Sequence, residues 1–372
     1  MKVQKAIYAA SLDPITNGHI NVIERMAPLY DEFVVLVAVD SRKVYTFTPE
    51  ERVEMAKSAV AHLSNVSVDV NIGCYVVRQA ESIGAQVIIR GLRNIKDLED
   101  EQTLAEENRN ICPQIETVWV PCLPNLMRVS SSMVKGHVGV DPNWEEQVAR
   151  SVPAGVVLKL KEKFILGKAF KHWAGLMSAL GNPKGSEKIF KNIVACYGKP
   201  NRFYHILEHI VSMLDKFETV SDQVKNPDAV RLTIWYHDIA DSEEVSAHQA
   251  ELDIKEMGLS DYLIKLVCCD LSNNGLIMAT KHKSQPQDLD TMFLLDLDLA
   301  ILGSAEKEFD AYEAGIRKEY SFVSEADFRA GRSRILESFL NRPSIYYTKF
   351  FQNKYESIAR ENLKRSIKKL RS

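Results

Sequence analysis

Five short apolar, β-rich runs alternate with helical stretches early in the chain, and no such run recurs after Val157. The runs are Ala6 to Ala9, Phe33 to Val39, Val66 to Val70, Val87 to Ile89 and Thr117 to Val120. Between them His19 to Tyr30, Pro49 to His62 and Asp97 to Asn110 carry helical periodicity. Strands separated by helices pair in parallel, so this part is expected to be an α/β doubly wound parallel sheet. From Val157 to Ser372 helix follows helix, and this part is expected to be all-α. The 372 residues thus divide into two expected domains, 1–160 and 161–372, each long enough to bury its own core. Helical periodicity and several lysines over Leu158 to Trp173 predict a connecting helix at the join.

Composition narrows the classes of partner. The longest apolar run, Phe33 to Val39, is far short of the roughly 18 residues a membrane helix needs, so no membrane is expected as a partner. Lys+Arg 47 against Asp+Glu 50 gives a net charge of −3. Neither half has a strong basic excess, so nucleic acid is not an expected partner either. The basic end, Lys364 to Arg371, alternates with apolar residues as the solvated face of a helix does. The start Met1-Lys2-Val3-Gln4-Lys5 lacks the apolar core of a signal peptide, and the expected compartment is the cytoplasm. Cys74, Cys112, Cys122, Cys196, Cys268 and Cys269 show no CxxC spacing, so free thiols are expected, with Cys268 and Cys269 buried on a helix.

Directly after the first run comes Ala9-Ala10-Ser11-Leu12-Asp13-Pro14-Ile15-Thr16-Asn17-Gly18-His19, leading into a helix. A strand end, a turn and a helix N-terminus form an anion site, because free N–H groups and the helix dipole point at one place. Ser11 offers a hydroxyl, Gly18 allows close backbone approach, and His19 can donate to a phosphoryl oxygen. Asp13 to His19 resembles the opening (H/T)xGH motif of bacterial phosphopantetheine adenylyltransferases, in the nucleotidylyltransferase superfamily. Phe47 to Arg52 resembles that family's FTxEER, Ile89 to Arg93 its RGLR, and Val129 to Lys135 its ISSSxVK.

The resemblance implies a Rossmann-like nucleotidylyltransferase domain over 1–160, which joins ATP to 4'-phosphopantetheine and releases pyrophosphate. By the same resemblance His19 is catalytic. Ser11, Leu12, His19, Gly91, Leu92, Arg93, Glu101 and the run Leu126, Met127, Arg128, Val129, Ser130, Ser131, Ser132 bind ATP. Ser11, Lys43, Val76 and Arg90 bind phosphopantetheine. Mg²⁺ is the implied cofactor and a homo-oligomer, a hexamer, the implied assembly. Lysine, arginine, imidazolium and Mg²⁺ can offset the charge gathered at the α-phosphorus, and no side-chain nucleophile is required. The chain departs from the family at Ala9-Ala10-Ser11-Leu12, where Pro-Gly-Thr-Phe is usual. It also lacks the usual aromatics around Leu126 and at Asp100. Another small phosphorylated acceptor remains an alternative.

In the second half, His205 and His209 are four residues apart, which places them on one helix face. His237-Asp238 follows, then Asp296 and Asp298 inside an apolar run, where a carboxylate is costly to bury without a cation or hydrogen-bond donors. This H…HD…D order resembles the HD superfamily of metal-dependent phosphohydrolases. Residues 170–372 resemble its uncharacterised predicted metal-dependent branch, including Glu243 to Ala247, Ala279 to His282, Arg317 to Tyr320, Ala330 to Arg332 and Ala359 to Leu363. The resemblance implies an all-α HD domain whose metal ligands are His209, His237, Asp238 and Asp298. That donor set suits Mn²⁺, Fe²⁺, Zn²⁺ or Mg²⁺ and an unknown phosphorylated substrate. The Tyr-His-x-x-x-His arrangement is similar to that of cyclic nucleotide phosphodiesterases and implies His205 as general acid. Glu243, Glu244 and His282 are either near the ligands or merely a helix start and a surface histidine. A module that senses a nucleotide without turnover is the alternative, and the complete ligand set favours an enzyme.

Overall fold

The computed structural model describes residues 4–141, 143–268 and 275–371. The chain divides into two compact units, Met1–Phe164 and Ile165–Ser372.

The first unit is built on β1 (Lys5–Ala10), β2 (Glu32–Val39), β3 (Val66–Ile72), β4 (Val87–Leu92) and β5 (Glu116–Pro121), interleaved with α1 (Asn17–Met26), α2 (Pro49–Val60), α3 (Val76–Ser82) and α4 (Ile95–Ile111). The strands pair in parallel in the order β3-β2-β1-β4-β5. Ile7 sits opposite Val34 on one side and Ile88 on the other. Both faces of β1 are buried: Ala6 and Tyr8 pack with Val22 and Ile23 of α1 and Met55 of α2, whereas Ile7 and Ala9 pack with Val77 and Ala80 of α3. That double burial explains why β1 reads as a continuous apolar run. The strand order reverses between β1 and β4, which opens a crevice beyond their carboxyl ends. Two short helices, α5 (Ser131–His137) and α6 (Trp144–Ala149), follow β5, and Val134, Trp144 and Val148 join the core on the α1 face.

Two of the family-like motifs act first as scaffold. Thr48 and Glu51 form a reciprocal cap at the start of α2, with Pro49 in its first turn. The fully buried Arg52 then donates to the carbonyls of Ser11 (2.8 Å) and Ala38 (3.2 Å), tying together the chain leaving β1 and β2. Asp13, also buried, accepts from the backbone N–H of Phe47 at 3.0 Å and from Lys135 Nζ at 2.6 Å. Lys135→Met would leave that carboxylate without its countercharge. The expected cost is about 2 kcal/mol, below the usual figure for a broken buried pair because backbone donors remain, and a shifted urea midpoint of the full chain checks it.

The division between the units falls inside α7 (Ala154–Ala179), at Phe164/Ile165. The second unit continues with α8 (Ser186–Tyr197), α9 (Leu207–Phe217), α10 (Pro227–Tyr236), α11 (Glu243–Glu256), α12 (Asp261–Val267), α13 (Leu276–Ala279), α14 (Leu289–Asp298), α15 (Glu306–Glu319), α16 (Glu325–Leu340) and α17 (Lys349–Arg371), with no strand among the described residues. Its core is aromatic at one end, where Trp173 meets Trp235 edge-on at 5.5 Å. Helices α9, α10 and α14 pack pairwise. On α17 the alternation of the basic end is realised, with Leu363 and Ile367 buried and Arg365 paired with Asp310. Cys74, Cys112, Cys122, Cys196 and Cys268 carry free thiols, and Cys269 lies outside the described residues. No helix among the described residues is long and apolar enough to cross a membrane.

Candidate active site and metal centre

The crevice beyond β1 and β4 is a cavity of about 900 Å³. Of the residues expected there, Ser11, His19, Lys43, Val76, Arg90, Gly91, Arg93, Glu101, Val129, Ser130, Ser131 and Ser132 line it. Leu12, Leu92, Leu126, Met127 and Arg128 do not. Leu12 takes a left-handed φ of 48°, and its side chain is buried in the core on the α1 face. Leu126 closes a short turn, Pro124–Leu126, and reaches the site only through its backbone: a Cβ on Gly18 would stand 3.9 Å from the Leu126 carbonyl oxygen and 3.6 Å from that of Val129.

His19 is the third residue of α1. Its Nδ1 accepts the Thr16 backbone N–H at 3.0 Å, closing the helix start as a capping carboxylate would. A backbone N–H can only donate, so the ring proton sits on Nε2. Burial, followed by the nearby Arg93 and Arg90 charges, pushes His19 down to about 4. The imidazolium expected from the sequence is therefore corrected to a neutral ring, because desolvation and two guanidinium groups oppose its charge. Since the folded-state value lies below the ordinary 6.5, the unfolded chain binds the extra proton first as pH falls. His19's contribution to stability is complete above pH 6.5 and lost toward pH 4. Denaturation midpoints of wild type and His19→Gln, compared over that window, are expected to converge as the pH drops.

Arg90 is held by Glu101, with Nε to Oε2 at 2.7 Å and Nη2 to Oε1 at 2.5 Å, and it also donates to the Ala9 carbonyl. Arg93 forks onto Asp97 at 2.8 and 3.2 Å. Ser130 caps α5 by accepting from the Met133 N–H, and Ser131 donates to the Pro14 carbonyl at 2.8 Å, so the serine run is tied to the opening loop. Tyr8 escaped the sequence reading. It lines the cavity and meets the His19 ring edge-on at 6.4 Å, and the only signal was a hydroxyl within an otherwise apolar central strand.

A protein-family model described as cytidylyltransferase-like matches residues 7–137. The phosphopantetheine adenylyltransferase of Bdellovibrio bacteriovorus is 45% identical over 130 residues, covering 35% of this chain and 81% of that protein. That of Leuconostoc citreum is 41% identical over 160 residues, covering 42% and 97%. That of Chromobacterium violaceum is 36% identical over 158 residues, covering 42% and 96%. The chain belongs to the phosphopantetheine adenylyltransferase family. The departures from the pattern of phosphopantetheine adenylyltransferases now have a place: Ala10 and Asp100 both line the cavity, and the Ala9 carbonyl is fixed by Arg90.

The second unit gathers another set of groups. One ligand atom from each of His209, His237, Asp238 and Asp298 lies within 4.8 Å of all the others. The elements explain the convergence: His209 is on α9, His237 and Asp238 follow α10, and Asp298 ends α14. His237 Nδ1 lies 3.0 Å from the Ile234 carbonyl, which can only accept. The Nδ1 proton is thereby fixed and Nε2 is turned to the cluster, as metal-ligating histidines are held. His282 Nε2 meets Asp298 Oδ2 at 2.9 Å. Burial works against charge on all four groups. It prevails at His209, whose pKa is lowered, whereas pairing prevails at His237, which is raised, and at Asp238 and Asp298, which are lowered. Two imidazoles with two ionised carboxylates fit a divalent cation.

Asp296, two residues earlier, points elsewhere: it accepts from the Tyr347 and Thr348 N–H groups and the Thr348 hydroxyl, each at 2.7 Å. Ser242 caps the helix that Glu243 and Glu244 begin, and Glu244 pairs with Lys281. His205 Nε2 stands 3.8 Å from Asp238, and its Nδ1 meets Glu319 Oε2 at 2.7 Å. Burial opposes a charge on His205, but Glu319 and Asp238 raise its pKa overall. Glu319 Oε1 also accepts the N–H groups of Phe203, Tyr204 and His205 at 2.7, 2.8 and 3.0 Å. Glu319 lies in the Arg317 to Tyr320 stretch, where nothing local marks a contact with a residue 114 positions away.

Proposed function

We propose that the first unit transfers the adenylyl group of ATP to 4'-phosphopantetheine, giving dephospho-coenzyme A and pyrophosphate in coenzyme A biosynthesis. The observation carrying this reading is one cavity that holds Ser11, His19, Lys43, Val76, Arg90, Arg93 and the serine run together at the strand-order reversal. An acceptor phosphate oxygen attacks the α-phosphorus, the bond to the β-phosphate oxygen breaks, and pyrophosphate leaves. The neutral His19 Nε2–H donates to an α-phosphoryl oxygen as charge builds there, and Lys43 and Arg90 hold the acceptor phosphate. The Mg²⁺ implied by the family finds no metal-ligating group of three or more side chains among the described residues of the cavity. Asp40, Asp97 and Glu101 are each tied to an arginine, and Asp100 and Glu107 also line the cavity but join no such group. Pyrophosphate release with ATP and 4'-phosphopantetheine tests the reading.

For the second unit we infer a metal-dependent phosphohydrolase of the HD type. The supporting observation is the convergence of His209, His237, Asp238 and Asp298. A bound divalent ion there would polarise a phosphoryl oxygen and lower the pKa of water. His205, oriented by Glu319, donates a proton to the leaving oxygen. Metal analysis of the full chain, with hydrolysis of nucleotides and coenzyme A precursors in Mn²⁺, tests this half.

A further inference from the structure

The helical unit holds a second cavity, of about 320 Å³, lined by α7, α9 and α17 and by none of the four clustered ligands. Helix α9 thus serves two places: His209 belongs to the metal cluster, while Ser212 and Lys216 line this cavity, with Thr219 just beyond the helix end. Lys216 Nζ bonds to the Ser212 hydroxyl, and among the described residues no carboxylate is ion-paired with it. Lys354, from α17, stands 5.6 Å over the Phe350 ring and 5.2 Å over Tyr355, again without an ion-paired carboxylate among the described residues. Asp215, also in the lining, is already engaged by Lys168 and His172 at 2.5 and 2.9 Å. Burial lowers the Lys216 pKa against the pull of Glu308 and Asp215. Two ammonium groups with no carboxylate at ion-pair distance among the described residues, flanked by hydroxyls at a concave site, call for an anion with several acceptor oxygens.

We propose that this cavity binds the phosphate group of a small monophosphate, between Lys216 and Lys354, with Ser212 and Thr219 supplying hydroxyls and Phe350 and Tyr355 an aromatic wall. Asp215 in the same lining is already paired with Lys168 and His172, and a cavity of about 320 Å³ leaves little room for a longer phosphate chain. The proposal is independent of the metal chemistry of the cluster.

Lysine footprinting tests it on the full chain: reductive methylation followed by peptide mass spectrometry, with inorganic phosphate, AMP or ATP present. At concentrations well above Kd, phosphate and AMP are expected to slow modification of Lys216 and Lys354 about tenfold, with the exposed Lys191 unchanged. Greater protection by AMP than by phosphate assigns the ring wall to a base, and equal protection assigns recognition to the phosphate alone. Lys354→Gln is expected to abolish most of the protection at Lys216, and EDTA to leave it intact. No protection by phosphate or AMP, protection matched by sodium chloride of equal ionic strength, or protection lost on adding EDTA would overturn the proposal.

Discussion

Replacing His19 with alanine is expected to lower kcat for pyrophosphate release about 10²–10³-fold while changing the KM for ATP little, the usual loss for one preorganised donor at a developing negative charge. The expectation follows from the tautomer. Thr16 N–H occupies Nδ1, so the only ring donor is Nε2–H, and a pKa near 4 keeps that proton count fixed across the neutral range. The variant also loses the third-residue partner of the α1 cap, worth about 1 kcal/mol, which is too little to unfold the unit. His19→Gln, which can place an N–H near the same spot, is expected to recover part of the rate. If His19→Ala and wild type turned over equally, the donor role would be lost.

The second large effect concerns the metal cluster. Full-length protein loaded with Mn²⁺ and desalted is expected to retain about one equivalent, and His237→Ala or Asp298→Asn almost none, because either change removes one of four converging donors. Asp298→Asn preserves shape, so its loss of metal cannot be blamed on a cavity. Asp296→Asn is the contrast. Its two oxygens are spent on Tyr347 and Thr348, and the change should leave metal content intact while lowering stability by about 2 kcal/mol. Melting temperature should follow the same division: added Mn²⁺ raises it in wild type and Asp296→Asn but not in Asp298→Asn. Metal retained by both His237→Ala and Asp298→Asn would rule the cluster out as its site.

The parts legible in the sequence were those in which local pattern and final position coincide. Strand–helix alternation marked the parallel sheet because β1 is buried on both faces, and the His19 loop was readable because strand end, turn and helix start are consecutive. Asp298 and Asp296 part ways because a two-residue step on α14 turns one to the cluster and the other to the Thr348 loop. What stayed hidden depended on backbone angle or on distant partners. Leu12 sits in the phosphate-loop motif, yet its positive φ sends the side chain to the core. Arg90 and Glu101 were assigned separate ligands, and their mutual fork appears only when α4 packs beside β4. Glu319 meets His205 from 114 positions away, a contact no spacing rule encodes.

The most direct measurement is pyrophosphate release by the full chain with ATP and 4'-phosphopantetheine. The account predicts saturable release that requires both substrates and collapses in His19→Ala. No release by wild type, together with no detectable ATP binding, would contradict it.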